Sequence, residues 1–163
     1  MMNIKWAAAF LIGLVLLVGL LVWSGSKDVF GQLIDVNDPN RPIATADSTQ
    51  FDFGDMSVSE VKSHTFQIKN TGLSDLTLAR VTTSCDCTYA YITIGQRRSP
   101  QQTMHGSQGW SDVIKPGESA DLEVVYEPAL MPVSGLVKRT VSVTTTDPVA
   151  PTLTFTIEAN VSL

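Results

Sequence analysis

Two cysteines, Cys85 and Cys87, stand one residue apart, and the chain has no others. A pair at this spacing has three uses. It can be structural, packed as small apolar groups or bridged locally. It can clasp a soft ion such as Cu(I). It can exchange electrons with other thiols. Residues i and i+2 of an extended strand lie about 6.6–6.8 Å apart, at the upper edge of disulfide geometry, whose mode is near 5.5–6 Å. A bridge therefore requires a bend or bulge, and it closes a very small ring of the kind that is more easily reduced. Copper binding would add Met104 and His105 from the long segment downstream to the two thiolates. Exchange would proceed without a Cys-x-x-Cys motif or a helix N-terminus, and Asp86 between the thiols opposes their ionisation. All three uses stay open at this level.

The second candidate is the segment Gly95 to Val113, GQRRSPQQTMHGSQGWSDV. Loops longer than about 12–15 residues are usually functional or disordered. Arg97 and Arg98 form a positive spot on an acidic chain, and Trp110 adds an adhesive aromatic, so these three are candidate partner-binding residues. The competing reading is a mobile insertion in which Trp110 caps the end of the domain. Catalytic signatures are missing: no glycine-rich phosphate loop, no His-Glu-x-x-His and no Gly-x-Ser-x-Gly occurs. Of the two histidines, His64 falls on an apolar face at a strand start, and His105 has no nucleophile placed by spacing. The chain reads as a non-enzyme that needs no cofactor, with copper as the alternative.

These residues must be carried by β-strands. Phe51-Asp52-Phe53 alternates and meets Gly54-Asp55. His64, Phe66 and Ile68 share a face, closed by Asn70-Thr71-Gly72. Leu76 and Leu78 share another, and the phase then slips to Val81, which predicts a bulge near Ala79-Arg80. After the turn Pro116-Gly117-Glu118, the residues Ala120, Leu122, Val124 and Tyr126 alternate. So do Val137, Arg139, Val141, Val143 and Thr145 before Asp147-Pro148. Leu153, Phe155, Ile157, Ala159 and Val161 follow the same rule. No window of helical period interrupts them. The pattern predicts an all-β, immunoglobulin-like β-sandwich of about seven strands over residues 51–163.

Several of these motifs occur together and in order: Phe51-Asp52-Phe53-Gly54, His64-Thr65-Phe66, Lys69-Asn70-Thr71-Gly72, Thr83-Ser84-Cys85-Asp86-Cys87-Thr88, Lys115-Pro116-Gly117-Glu118-Ser119 and Thr145-Thr146-Asp147-Pro148. The stretch from 51 to 161 resembles the bacterial domain-of-unknown-function family numbered 1573. That family is related to the ASH, major-sperm-protein and PapD-type immunoglobulin-like sandwiches. The resemblance implies export and anchoring by a lipoprotein signal or membrane helix, and it implies no shared activity. The family usually has glycine between the cysteines, where this chain has Asp86.

Ahead of the domain, Trp6 to Trp23 is an uninterrupted apolar run of 18 residues. As a helix it spans about 27 Å, close to the hydrocarbon thickness of roughly 30 Å, with tryptophans at both interfaces. The run is long for a signal peptide, and the bulky residues before Trp23 make a poor cleavage site. Residues 1–5 are therefore read as cytoplasmic, 6–23 as one transmembrane helix and 24–50 as a linker marked by Pro39, Pro42 and turn residues. Lys5 precedes the run, while Lys27 and Asp28 cancel beyond it, which sends the domain to the periplasmic or extracellular side. Gly13 and Gly19 leave room for close helix approach but are six apart and make no Gly-x-x-x-Gly pair. The formal net charge is −5, and the only adjacent basic pairs are Arg97-Arg98 and Lys138-Arg139. This charge pattern argues against nucleic-acid binding. The expected partners are the bilayer, through 6–23, and other membrane or envelope proteins, for which the chain would be an accessory subunit. The alternative is a Cu(I)-binding or thiol-handling domain. Protease added to spheroplasts should remove residues 27–163 and spare the extreme N-terminus, and a protected domain would refute the topology.

Overall fold

A computed structural model of the chain describes residues 34–106 and 109–163. The expected transmembrane helix, with Gly13 and Gly19, and the first ten residues of the linker lie outside the described residues. Ten strands occur among those described: β1 (Ala44–Ala46), β2 (Gln50–Ser57), β3 (Lys62–Asn70), β4 (Leu76–Thr83), β5 (Thr88–Ile94), β6 (Arg97–Arg98), β7 (Ser111–Ile114), β8 (Ser119–Tyr126), β9 (Gly135–Thr145) and β10 (Thr152–Ser162). One sheet runs β1-β3-β8-β5-β6 and the other β2-β10-β9-β4-β7.

The alternation that defines the strands also builds the core. Phe66, Ile68, Ala90, Ile92, Leu122 and Val124 line the inner face of the first sheet, and Leu78, Val81, Val141, Val143, Phe155 and Ile157 that of the second; all are buried. Phe66 and Phe155 meet across the interface with ring centroids 5.0 Å apart. Each such side chain contributes roughly 1.5–3 kcal/mol of burial before entropy is charged against it. The slip expected after Leu78 is present: β4 shifts register against β9 between Ala79 and Thr82, with Arg80 at φ 47°. β5 alternates as regularly as the others. Its outward residues are Tyr89 and Tyr91 rather than charges, so no polar phase marks it in the sequence. β2 does not end at Gly54. A bulge opposite Glu158–Asn160, with Gly54 at φ +66°, lets it continue to Ser57.

The linker boundary at residue 50 falls inside the sandwich. β1 pairs antiparallel with β3, and the chain then crosses to the other sheet, where β2 runs parallel to β10. Buried polar side chains hold this first segment. The Asp147 carboxylate, 2% exposed, accepts hydrogen bonds from the Arg41 guanidinium (2.8 Å) and the amides of Ala44 (2.9 Å) and Val149 (2.9 Å). Asn70 donates to the carbonyls of Ser74 (2.8 Å) and Ile114 (2.9 Å) and accepts from the amides of Gly72 (3.0 Å) and Ile43 (3.4 Å). Its amide thus joins β1, β3 and β7 with no bonding capacity left unused. A Cβ at Gly72 would collide with the Arg41 carbonyl, 2.5 Å from Ile43 N and 2.7 Å from Pro42 Cα. Those are backbone atoms that cannot give way cheaply. Gly72→Ala should therefore destabilise by about 2–3 kcal/mol, the range of overpacking, measured as a lowered urea midpoint with unchanged m-value. A loss below 0.5 kcal/mol would show that residues 41–43 are not held in this contact.

Candidate functional site

Cys85 and Cys87 lie in the turn that carries the chain from β4 in one sheet to β5 in the other. The Thr88 amide donates to the Cys85 carbonyl at 3.2 Å. That turn supplies the bend that the spacing demanded: the two Cα atoms are 5.3 Å apart and the sulfurs are joined in a disulfide. In this state the pair offers no thiolate to a metal. Met104 and His105 are both exposed, and among the described residues no three His, Cys, Asp or Glu side chains are placed to hold an ion. The copper reading thus requires a reduced pair and remains a proposal for that state.

The bridge ties together nothing that the turn does not already hold. By the chain-entropy relation, a loop of three residues stabilises by only about 1.5–2 kcal/mol, against about 3 kcal/mol for a 15-residue loop. Its surroundings are more distinctive. Cys87 is fully buried and Cys85 is 8% exposed. The Thr88 hydroxyl lies 3.5 Å from the sulfur of Cys85 and 4.0 Å from that of Cys87. Arg139 Nε donates to the Cys87 sulfur at 3.3 Å, and its Nη1 donates to the Lys138 carbonyl at 3.1 Å. Arg139 belongs to the inward row of β9 with Val137, Val141 and Val143. It is absent from the four ion pairs among the described residues. Its guanidinium carbon sits 6.0 Å from the centroid of the Tyr126 ring. The Tyr126 hydroxyl is buried and lacks a hydrogen-bond partner among the described residues. Burial pushes its pKa up; Arg139 pulls the other way without reaching hydrogen-bond geometry. Arg139 and Tyr126 were not among the sequence candidates. The available signal was an arginine in an otherwise apolar alternating row.

The segment from Gly95 to Val113 is partly strand. It leaves β5 as β6, makes a bridge from Gln102 to Ala90, and crosses to the other sheet as β7 on β4. Arg97 grips the Asp112 carboxylate with two nitrogens, its Nε 3.0 Å from Oδ2 and its Nη2 3.1 Å from Oδ1. This raises the Arg97 pKa. Partial burial of Asp112 would raise its own, but the bond from Arg97 and the Val113 amide bring it below the usual carboxylate value. Arg98 pairs with Glu123 at 2.7 Å and lies over the Tyr91 ring at 4.1 Å. Trp110 is half-buried and packs on the core. The three partner-binding candidates therefore all have contacts within the domain, and none of them lies in the cysteine turn. His64 stacks on Phe51 at 3.6 Å and meets Phe66 edge-on at 4.6 Å, an aromatic packing role.

Two antiparallel-rich sheets face to face, with the first strand divided between them, define an immunoglobulin-like β-sandwich. The chain belongs to the HYDIN/CFA65/VesB-like Ig-like domain family, whose model matches residues 42–160. Among solved structures it is similar to a protein of unknown function from Porphyromonas gingivalis W83, with 20% identity and a TM-score of 0.57, over 82% of this chain and 51% of that one. It is also similar to the ASH/PapD-like domain 7 of human CEP192, with 10% identity and a TM-score of 0.51, over 85% and 98% respectively. The chain thus spans about half the length of the Porphyromonas protein. At these identities the likenesses establish the fold. No curated protein matches the chain in sequence.

His64 links this packing to pH. Burial lowers its pKa from 6.5, opposed by the charge of Asp47. The unfolded chain therefore takes up the proton first as pH falls, so stability is complete above about 6.5 and declines below it until the folded imidazole also protonates. The urea midpoint should fall between pH 7.5 and 5.5, and His64→Phe should flatten that decline. An equal slope in the variant would remove His64 as its source.

Proposed function

We propose that the chain is a membrane-anchored, extracytoplasmic interaction module, a non-catalytic accessory subunit of a membrane or envelope protein complex. Its membership in an Ig-like domain family supports a binding role, and the apolar run 6–23 supports the anchor. The narrower likeness to family 1573 rests on the Cys85-Asp86-Cys87 and Pro116-Gly117-Glu118 motifs. The observation that carries the reading is the end of the sandwich where β2, β8 and β10 finish and β3 and β9 begin. Val61, Leu130, Met131 and Leu136 are all exposed there, Leu136 at 89%. Large apolar side chains gathered at one end of a sandwich mark a contact surface.

Partner-strand addition at the edge strand β2, which carries Asp52 and Asp55 as guards, is less well supported. Lys62 Nζ donates to the β2 carbonyls of Phe53 (3.3 Å) and Asp55 (2.9 Å), so that edge is already engaged. The other edge strands are two to four residues long. Docking by side chains at the apolar end fits these facts better. Arg97 and Arg98 sit at the opposite end, where β5 finishes and β8 begins, so they lie outside this surface. Leu136→Asp combined with Met131→Ser should reduce copurification from mild-detergent membrane extracts at least tenfold while changing stability by about 0.5 kcal/mol or less per exposed site. Unchanged copurification, or purification of the native protein alone as a monomer, would defeat the reading.

A further inference from the structure

We infer that Cys85, Cys87 and Arg139 form a thiol–disulfide exchange site that accepts an electron pair from a dithiol while the sandwich stays folded. This goes beyond the interaction reading and does not depend on it. Three observations converge. The disulfide closes over one residue inside a turn, so its cleavage leaves the strands paired through their own ladders. A guanidinium with no carboxylate partner among the described residues donates to the Cys87 sulfur. A buried tyrosine hydroxyl on β8 lacks an acceptor, and Tyr126 is the cross-strand neighbour of Thr88, whose hydroxyl touches Cys85.

The chemistry has a direction. Cys85 is the less buried of the two, 8% exposed against 0% for Cys87, so its sulfur is the one assigned to the incoming thiolate. The Cys85–Cys87 bond breaks, and Cys87 leaves with the electron pair as a thiolate beside Arg139. A cation next to the leaving sulfur favours that step and stabilises the reduced state. The product is a mixed disulfide between Cys85 and the reductant. With a monothiol, Cys87, two positions along the chain, attacks the Cys85 sulfur and expels the monothiol, restoring the bridge. A dithiol completes the reaction: its second thiolate attacks its own bridged sulfur and frees Cys85. The net exchange is one dithiol oxidised to a disulfide and Cys85–Cys87 reduced to two thiols, with two electrons and two protons passing from one to the other. Exposed Asp86 disfavours negative charge on the turn, and Arg139 offsets it from the buried side. The reductant class is therefore a dithiol, and dithiothreitol is the probe.

The full-length chain in detergent would be equilibrated with graded ratios of reduced and oxidised dithiothreitol, quenched and alkylated, and its free thiols counted by mass. Folding is followed in the same samples by circular dichroism. Native protein should convert fully to the dithiol with its β signal intact, and glutathione alone should leave the bridge closed. Arg139→Gln should shift the equilibrium toward the disulfide about tenfold, roughly 30 mV for a two-electron couple, and slow reduction by a similar factor. Arg139→Lys, which keeps the charge, should retain most of the native behaviour. Reduction only as the fold melts, or an Arg139→Gln protein indistinguishable from native in both equilibrium and rate, overturns the inference. Should Arg139→Gln fail to fold, Arg139→Met, which keeps an unbranched stem and removes the charge, replaces it; it should shift the equilibrium the same way, and an unshifted equilibrium in that variant overturns the inference equally.

Discussion

A carboxylate cannot stay ionised in a protein interior without partners, and Asp147 sets the arrangement of this sandwich through that requirement. It is reached by Arg41 and by the amides of Ala44 and Val149, and so it draws residues 41–44 onto the end of the domain. With that segment in place, β1 pairs with β3. The turn at Asp47 then passes the chain across, its carboxylate accepting the Gln67 amide at 2.9 Å, and β2 is delivered to β10. The backbone bond from Gln67 holds the Asp47 pKa below the usual carboxylate value. Gly72 permits the close approach, and Asn70 locks it to β7. Breaking a buried pair of this kind typically costs several kcal/mol, because the surviving charge is left unpaired.

The two ends of the sandwich are consequently different in kind. One is closed by hydrogen-bonded polar side chains that leave little freedom. The other gathers the cysteine turn, an inward arginine without a counter-ion, an unpartnered tyrosine hydroxyl and several exposed apolar side chains. A native protein tolerates unsatisfied groups where something other than stability maintains them. They are concentrated at one end, opposite the rigid one, and under the readings proposed above a contact or a redox change there would leave the strand pairing undisturbed. The edges point the same way. Lys62 covers the longest of them and the rest are two to four residues long, so little backbone is left open along the edges.

The turn itself shows how sequence and tertiary structure divide the work. Spacing alone indicated that Cys85 and Cys87 could bridge only through a bend. Whether the bend existed depended on where β4 had to leave its sheet and β5 join the other. Thr88 closes that turn against Cys85 because the crossover between sheets occurs there. The same crossing turns the long segment after Gly95 into β6 and β7, with Arg97 spent on Asp112.

Alternation by itself determined the long strands, their inward faces and the bulge at Arg80, because side chains on a strand alternate with a period of two and any slip must show as a change of phase. It missed β5, whose outward tyrosines hide the phase, and the short strands β1, β6 and β7, which are too brief for any pattern. Nothing in the local sequence could reveal that Gly72 is pressed against residue 41, that Arg139 touches a sulfur 52 positions away, or that the Tyr126 hydroxyl has no acceptor. Those facts arise only when two sheets pack face to face and bring together side chains that no periodicity relates.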